Sequence, residues 1–180
     1  MATASTTDKT FTSHSALDNY ITGLQNAHAL EKQALQLMER QLERIENYPE
    51  VGRLLRAHIK ETEGQLRRID EILHSFGEDR SLLKDMATQI SGNMAALMHT
   101  VMPDEILKNH FANHAFENYE IASYQSLITM AEATGHAKHV QPLQATLQEE
   151  ENMAKALRDM TPDLTLKYMR LYDSGRKADR

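Results

Sequence analysis

Apolar residues recur every three or four positions through most of this chain, a spacing that is typical of amphipathic α-helices. In the first long stripe the only residues that are not apolar are a histidine and a glutamate. The stripe consists of Ile21, Leu24, His28, Glu31, Leu35, Met38, Leu42 and Ile45. A carboxylate on the buried face of a helix is costly unless another group neutralises its charge. The pattern therefore predicts a helix over about residues 15–47 that carries a charged group into the core.

Proline and glycine divide the rest of the chain into further helical segments. The stripes predict helices over about residues 49–76, 82–101, 104–134 and 137–160. Pro162 is expected to end the last long helix, with a short amphipathic helix and a frayed basic tail beyond it. The chain is therefore divided into a flexible leader (residues 1–13), a helical bundle (14–162) and a C-terminal piece (163–180).

Loop lengths constrain how these helices connect. Few residues join the first helix to the second, or the last two long helices, so each pair is predicted to form an antiparallel hairpin. The link between the hairpins is long enough to run the full height of a bundle, and it holds the short 82–101 helix. Two hairpins joined by one long crossover predict an all-α, ferritin-like four-helix bundle.

Composition narrows the classes of function. The chain has 180 residues, no cysteine and a formal net charge of −6, with Lys and Arg scattered along it. Thiolate metal sites and cysteine nucleophiles are therefore excluded, and no basic stripe is present to bind nucleic acid. No apolar run is long enough to span a membrane, and the leader does not resemble a signal peptide. We expect a cytoplasmic protein that binds neither nucleic acid nor a membrane.

Acidic residues interrupt the apolar stripes of the long helices near their middles. One glutamate from each long helix lies on or beside its stripe: Glu31, Glu61, Glu117 and Glu150. Residues three positions apart share a helix face, so His58 is expected to point inward with Glu61, and Glu120 with Glu117. A dinuclear carboxylate centre in a helical bundle uses such a set, with single glutamates from two helices and two-ligand motifs from the others.

Charge favours a pair of cations at this place. One glutamate from each of the four long helices gives a total charge that two divalent ions would neutralise in a low-dielectric core. Glu120 would add a further negative charge, which would balance metal ions in a higher oxidation state. Ligands dominated by oxygen with a minority of imidazole suit iron, or else manganese, better than structural zinc. We therefore predict two transition-metal ions, held by Glu31, His58, Glu61, Glu117, Glu120 and Glu150.

Neighbouring residues are expected to take supporting or exposed positions. Tyr124, one turn after Glu120, is expected to donate a hydrogen bond near the centre. Glu63, Glu149 and Glu151 are expected to face solvent.

Four segments that carry these residues resemble a known family. They are HALEKQ (28–33), HIKETEGQ (58–65), FENYEIASY (116–124) and LQATLQEEE (143–151), and the similarity covers about residues 15–160. The most specific of them runs from Glu117 to Tyr124. The chain resembles the YciE/YciF-type bacterial stress-response family of the ferritin-like superfamily, which is related to the rubrerythrins. This resemblance implies a ferritin-like fold, a cytoplasmic homodimer and a di-iron or similar centre.

The sequence departs from the ligand motif that is usual in this superfamily, which is Glu-x-x-His on the second and fourth long helices. The second helix has the reverse order, with the histidine before the glutamate. On the fourth helix Met153 occupies the position of the histidine. His28 or His114, both on inward faces, could supply the missing nitrogen. The predicted centre is therefore lopsided, with one metal position poorer in ligands than the other.

Two functional hypotheses follow. The first is a dinuclear metal protein of the bacterial stress response, with di-iron or iron–manganese, that reacts with peroxide or oxygen. Its electrons would come from a separate donor, since no rubredoxin-like cysteine module is present. The alternative is a non-enzymatic helical-bundle stress protein with a degenerate or absent metal site that acts through protein–protein contacts. A homodimer is expected in both cases.

Overall fold

A computed structural model describes residues 14–77 and 105–180 of the chain. Four long helices account for most of these residues: α1 (His14–Arg44), α2 (Pro49–His74), α3 (Glu105–Ala133) and α4 (Val140–Asp173). A single turn of 3-10 helix, Ala137–His139, precedes α4. The predicted leader and the predicted 82–101 helix lie outside the described residues. The all-α four-helix bundle predicted from the periodicity is confirmed.

Each helix packs against two neighbours, so the bundle has the cyclic order α1, α2, α4, α3. Short loops make α1 with α2, and α3 with α4, into antiparallel hairpins. Phe76, just after α2, packs edge-on against Tyr20 near the start of α1. Glu105, at the start of α3, pairs with Arg44 at the end of α1. The link from α2 to α3 therefore begins and ends at opposite ends of the bundle, as expected of a long crossover.

Local signals explain where the helices begin and end. Pro49 occupies the first position of α2, where its missing N–H costs nothing. Gly77 and Gly135 have positive φ angles of 75° and 76° directly after α2 and α3. This left-handed conformation favours glycine and turns the chain away from the helix axis.

The structure differs from the prediction at Pro162, because α4 continues through this residue to Asp173. Proline removes one backbone hydrogen bond and crowds the preceding turn. Packing beyond Pro162 offsets that loss: Leu164 is buried, and Lys167 binds Glu50 of α2 at 2.8 Å. Residues 163–173 therefore form the last turns of α4 instead of a separate short helix.

The basic tail is also held in place, where fraying was expected. Tyr48 donates a hydrogen bond of 2.6 Å to the carbonyl of Ala178, and Ala178 itself is buried. The backbone N–H of Asn47 donates to the carbonyl of Arg180, and that of Ile106 to Asp179. These bonds fasten the tail over the α1–α2 loop and the start of α3.

Two apolar clusters fill the bundle, one toward each end. The cluster near the α1–α2 loop includes Met38, Tyr48, Leu55, Ile106 and Leu157. The cluster at the opposite end includes Tyr20, Leu24, Ile69, Leu127 and Leu143. Buried polar residues from all four helices lie between them, and we refer to these as the polar layer: Glu31, His58, Thr62, Gln65, Glu117, Glu120 and Glu150. The fold thus places the candidate chemistry at mid-height.

Candidate metal centre

The polar layer is built around one imidazole. His58 lies on the inward stripe of α2 and is almost completely buried. Its Nε2 is 3.2 Å from Glu117 Oε2 of α3 and 3.4 Å from Glu150 Oε2 of α4. One ligand atom from each of these three residues lies within 4.8 Å of the other two, which is the spacing that a shared metal ion requires. The structure therefore brings three of the predicted ligands together.

Two further carboxylates complete the buried acidic set. Glu31 of α1 and Glu120 of α3 are both about 1% exposed. Glu31 Oε1 accepts a hydrogen bond from Tyr124, which confirms the donor role expected for that tyrosine. Burial raises the pKa of both carboxyls. The charge of Glu31 raises that of Glu120 further, and the charge of Glu150 raises the pKa of Glu31 and of Glu120. Five predicted ligands thus share one layer.

Several oxygens in the polar layer have no hydrogen-bond partner among the described residues, and the carboxylate oxygens among them include Glu31 Oε2 and Glu120 Oε1. Two more, Glu117 Oε2 and Glu150 Oε2, have only the ion-pair contact with Nε2 of His58. An unpartnered buried carboxylate is strongly unfavourable unless it is protonated or bound to a cation. Two divalent ions would neutralise the charge of these four groups. The donor set, in which oxygens predominate and one imidazole is present, fits iron or manganese.

The pKa values of the buried carboxyls show that ionising all of them without a metal is unfavourable. Burial, followed by the charge of Glu150, raises the pKa of Glu31 to about 8. Burial also raises the pKa of Glu150 to about 8, although the nearby imidazole of His58 opposes this. Burial and the same neighbours raise the pKa of Glu120 well above its ordinary value. Without cations, these carboxyls hold protons near neutral pH.

Two opposing effects act on the pKa of the His58 imidazole. Burial alone lowers the pKa of His58, but the carboxylates of Glu117, Glu150 and Glu61 outweigh burial and raise it well above its ordinary value. A protonated His58 partly neutralises the layer in the absence of metal. A metal ion would have to displace that proton from Nε2 before it could bind there.

Glu61 does not lie in the polar layer, which differs from its predicted place beside the other ligands. Its side chain is 45% exposed, and its Oε2 is 2.9 Å from Nδ1 of His58, the nitrogen that does not face Glu117. Successive helix residues are rotated by about 100°, so with Thr62 pointing inward, Glu61 falls on the flank. Glu120 instead supplies the fourth buried carboxylate. Glu61 is placed to orient the ring of His58.

Removing the Glu61 carboxylate is expected to weaken metal binding without removing a buried group. We expect Glu61→Gln to lower metal affinity by about 10-fold, since an outer carboxylate fixes the tautomer and orientation of a ligating histidine. Isothermal titration with Zn²⁺ measures the effect. Glu63→Gln is the matched control, because Glu63 lies two residues away on the exposed surface. Equal affinities for the two variants would contradict the orienting role.

A salt bridge supports the α4 side of the layer. Arg68 holds Glu149 through two hydrogen bonds of 2.6 and 2.7 Å. The amide nitrogen of Gln65 donates to Glu149 at 3.1 Å and also to Glu150. The prediction that Glu149 faces solvent was therefore wrong, because Arg68 covers it. Gln65 and Thr62 were missed as site residues, because neutral polar residues on a stripe give no charge signal.

The two histidines considered as substitute ligands lie elsewhere. His28 is buried, but its Nε2 pairs with Asp70 at 3.2 Å. His114 is partly exposed and is not among the residues that converge with His58. Met153 is buried in the apolar cluster near the α1–α2 loop. Within the described ranges, the centre therefore has a single imidazole.

Comparison with known proteins decides the family. A family model described as "Domain of unknown function (DUF892)" matches residues 15–170. The chain belongs to this family. The DUF892 match covers all four helices and every residue of the polar layer. It leaves the chemistry open, because the family's own description assigns no function.

Individual relatives agree with this assignment. Protein YciF of Escherichia coli K12 is 30% identical over 150 residues, which are 79% of this chain and 88% of YciF. The crystal structure of the E. coli stress protein YciF superposes with a TM-score of 0.66 at 25% identity, covering 84% of this chain and 97% of YciF. A Xanthomonas campestris protein superposes with a TM-score of 0.73 at 27% identity, covering 88% and 99%. The predicted resemblance to YciF-type proteins is confirmed.

This DUF892 member is therefore a YciF-like helical bundle in which His58, Glu117 and Glu150 are buried with ligand atoms within 4.8 Å of one another. None of the helices in the described ranges has the length and apolar content needed to cross a bilayer.

Proposed function

We propose that this protein is a dinuclear metal protein of the YciF-type stress response whose polar layer holds two transition-metal ions, iron or manganese, for reaction with peroxide or oxygen. One observation carries the proposal. Four buried carboxylates from three helices lie around one imidazole, and oxygens of Glu31 and Glu120 have no partner among the described residues. Two divalent cations would neutralise the four carboxylates and take the unpartnered oxygens as ligands.

The residues that would hold the ions are Glu31, His58, Glu117, Glu120 and Glu150. Two reduced iron ions held there would supply the two electrons that, with two protons, reduce one hydrogen peroxide to two waters. Tyr124 keeps one oxygen of Glu31 engaged by its hydrogen bond, so the other oxygen stays directed to the layer. Glu61 keeps Nδ1 of His58 engaged, which leaves Nε2 facing Glu117 and Glu150.

The apolar clusters on both sides of the layer exclude water and keep the local dielectric low. A low dielectric strengthens the attraction between carboxylates and cations, and it limits leakage of reactive oxygen species into solvent.

Iron reconstitution tests the proposal. The chain, freed of metal, is incubated anaerobically with excess Fe²⁺, desalted and analysed by mass spectrometry. We expect about two iron ions per chain and rapid peroxide consumption that depends on the bound iron. Retention of less than about half an equivalent would contradict a metal centre. Full iron loading without any peroxide or oxygen consumption would contradict the proposed reaction alone.

The competing function, a non-enzymatic bundle, is favoured by one observation. Met153 stands where a second histidine is usual on the fourth long helix and packs among apolar residues. A bundle of this kind would be indifferent to metal, so its melting temperature would not change when iron or manganese is added. The same reconstituted samples therefore distinguish the two functions.

A further inference from the structure

Two neutral oxygens in the polar layer are as unpartnered as the carboxylates around them. Thr62 and Gln65 are both fully buried on α2. Neither Thr62 Oγ1 nor Gln65 Oε1 has a hydrogen-bond partner among the described residues. A buried polar group left unsatisfied lowers the stability of the fold. A cation that took both oxygens as ligands would remove that cost.

The orientation of the Gln65 amide follows from its surroundings. Its Nε2 donates to Glu149 Oε2 at 3.1 Å and to Glu150 Oε1. Glu149 accepts hydrogen bonds from Arg68 on both of its oxygens, so the nitrogen of the Gln65 amide faces Glu149 and the oxygen does not. Both atoms belong to one planar group. The free Oε1 therefore lies beside Glu150 within the buried layer.

Glu150 lies between two chemically different groups of α2. Its Oε2 is 3.4 Å from Nε2 of His58, and its Oε1 accepts the hydrogen bond from Gln65. His58 and Gln65 are seven residues apart, which is two turns of the same helix face. Thr62 lies between them on that face. One carboxylate can thus serve a position near the imidazole and a second position near the amide.

We propose that the two cation positions of the proposed centre, on which this inference rests, are chemically unequal. The first has nitrogen and oxygen ligands from His58, Glu117 and Glu150. The second has oxygen ligands only, with Gln65 Oε1 and Thr62 Oγ1 joining Glu31 and Glu120. An imidazole suits zinc or iron, whereas an all-oxygen position suits Mn²⁺ better than zinc. The second position therefore prefers Mn²⁺ to Zn²⁺, and it takes Fe²⁺ when iron is the only metal supplied.

Sequential loading with Zn²⁺ and Mn²⁺ tests this inequality without redox chemistry. The metal-free chain receives one equivalent of Zn²⁺ and is then titrated with Mn²⁺, while EPR follows the signal of free Mn²⁺. We expect the chain to bind about one Mn²⁺ and to retain its zinc by mass spectrometry. Gln65→Met preserves the shape of the side chain and removes the amide. It is expected to weaken Mn²⁺ binding by about 10-fold or more with unchanged zinc content.

Two further variants separate ligation from structural support. Gln65→Glu loses the same donated hydrogen bonds but keeps a side-chain oxygen, so it is expected to restore Mn²⁺ binding. Gln41→Met is the matched control. The amide of Gln41 is fully paired with Asn113 through bonds of 2.9 and 2.8 Å, so this variant loses stability but binds Mn²⁺ normally. Thr62→Val, a change of similar shape, is expected to weaken Mn²⁺ binding by a smaller factor.

The outcomes are distinguishable. Mn²⁺ binding that is the same in Gln65→Met and in the unsubstituted chain would overturn the inference, as would displacement of zinc by Mn²⁺ at a single shared position. Failure of Gln65→Glu to restore binding would assign Gln65 a supporting role only and would likewise overturn it. A chain that binds neither ion would overturn the proposed function together with this inference.

Discussion

Glu117→Gln is expected to remove the metal response of this protein. Glu117 faces His58 across 3.2 Å and is the α3 member of the only group of three His, Asp or Glu ligands that converges within the described ranges. Glutamine is nearly the same size, so packing is preserved, but the negative charge that attracts the cation is gone. We expect the affinity for Fe²⁺ or Mn²⁺ to fall by about 100-fold or more.

Thermal unfolding with and without metal measures this effect. A ligand at 100 times its Kd stabilises the folded state by about 2.7 kcal/mol, which for a chain of this size raises Tm by about 5–10 °C. The unsubstituted chain is expected to show that rise, and Glu117→Gln is expected to show no more than about 1–2 °C at the same metal concentration. Glu151→Gln, an exposed position beside Glu150 on α4, is the matched control. A variant at Glu117 that gains as much stability from metal as its parent would exclude Glu117 as a ligand.

The helices were predictable because their determinants are local. Apolar spacing, Pro49, Gly77 and Gly135 each act within a few residues, and the structure places the helix ends close to them. The crossover was predictable from a length argument alone, since only a long link joins opposite ends of a bundle. Pro162 was misread because its effect depends on distant partners. Leu164 and the contact between Lys167 and α2 keep α4 intact, and neither is visible in local sequence.

The buried face of α3 is not the one that apolar spacing alone indicates. Phe111 follows Leu107 at helical spacing, yet it is 51% exposed, and His110 is buried instead with its Nε2 2.9 Å from Thr161. Apolar residues occur all around α3, so periodicity alone does not select one face. The phase is set by packing against α1 and α4. Glu117 and Glu120 were nevertheless placed correctly, because a pair three residues apart points inward together over a range of phases.

The charged residues of the candidate site could be predicted from the sequence, and its neutral residues could not. Glu31, Glu117, Glu120 and Glu150 are anomalies on apolar stripes, and the structure buries all of them. Glu61 is charged as well, but it lies at the edge of its stripe and turns outward. Neutral Gln65 on the same stripe gave no such signal. Its importance depends on which partners reach its amide, and only tertiary structure determines that.

The stability of the metal-free chain is expected to fall as the pH rises from 6.5 to 8. Glu31 and Glu150 have folded-state pKa values of about 8, above the unfolded value of 4.5. In this window the folded chain binds more protons than the unfolded chain, so each pH unit costs up to about 1.4 kcal/mol per carboxyl. His58 has the same sign, because its raised pKa gives stability that is complete below pH 6.5 and is lost as pH rises toward the folded value.

The pH window begins at 6.5 because His139 has the opposite effect on stability at lower pH. Burial lowers the pKa of His139 to about 4, so His139 makes stability increase with pH between 4 and 6.5 and is neutral in both states above that. Urea unfolding in EDTA at pH 6.5, 7.2 and 8 is expected to show a total loss of up to about 5 kcal/mol. Bound metal replaces the protons, so saturating Mn²⁺ should stabilise the chain more at pH 8 than at pH 6.5. A metal-free stability that stays level or rises across this window would mean that the carboxyls of the polar layer are already ionised and stabilised by other groups, and cations would then have no protons to displace.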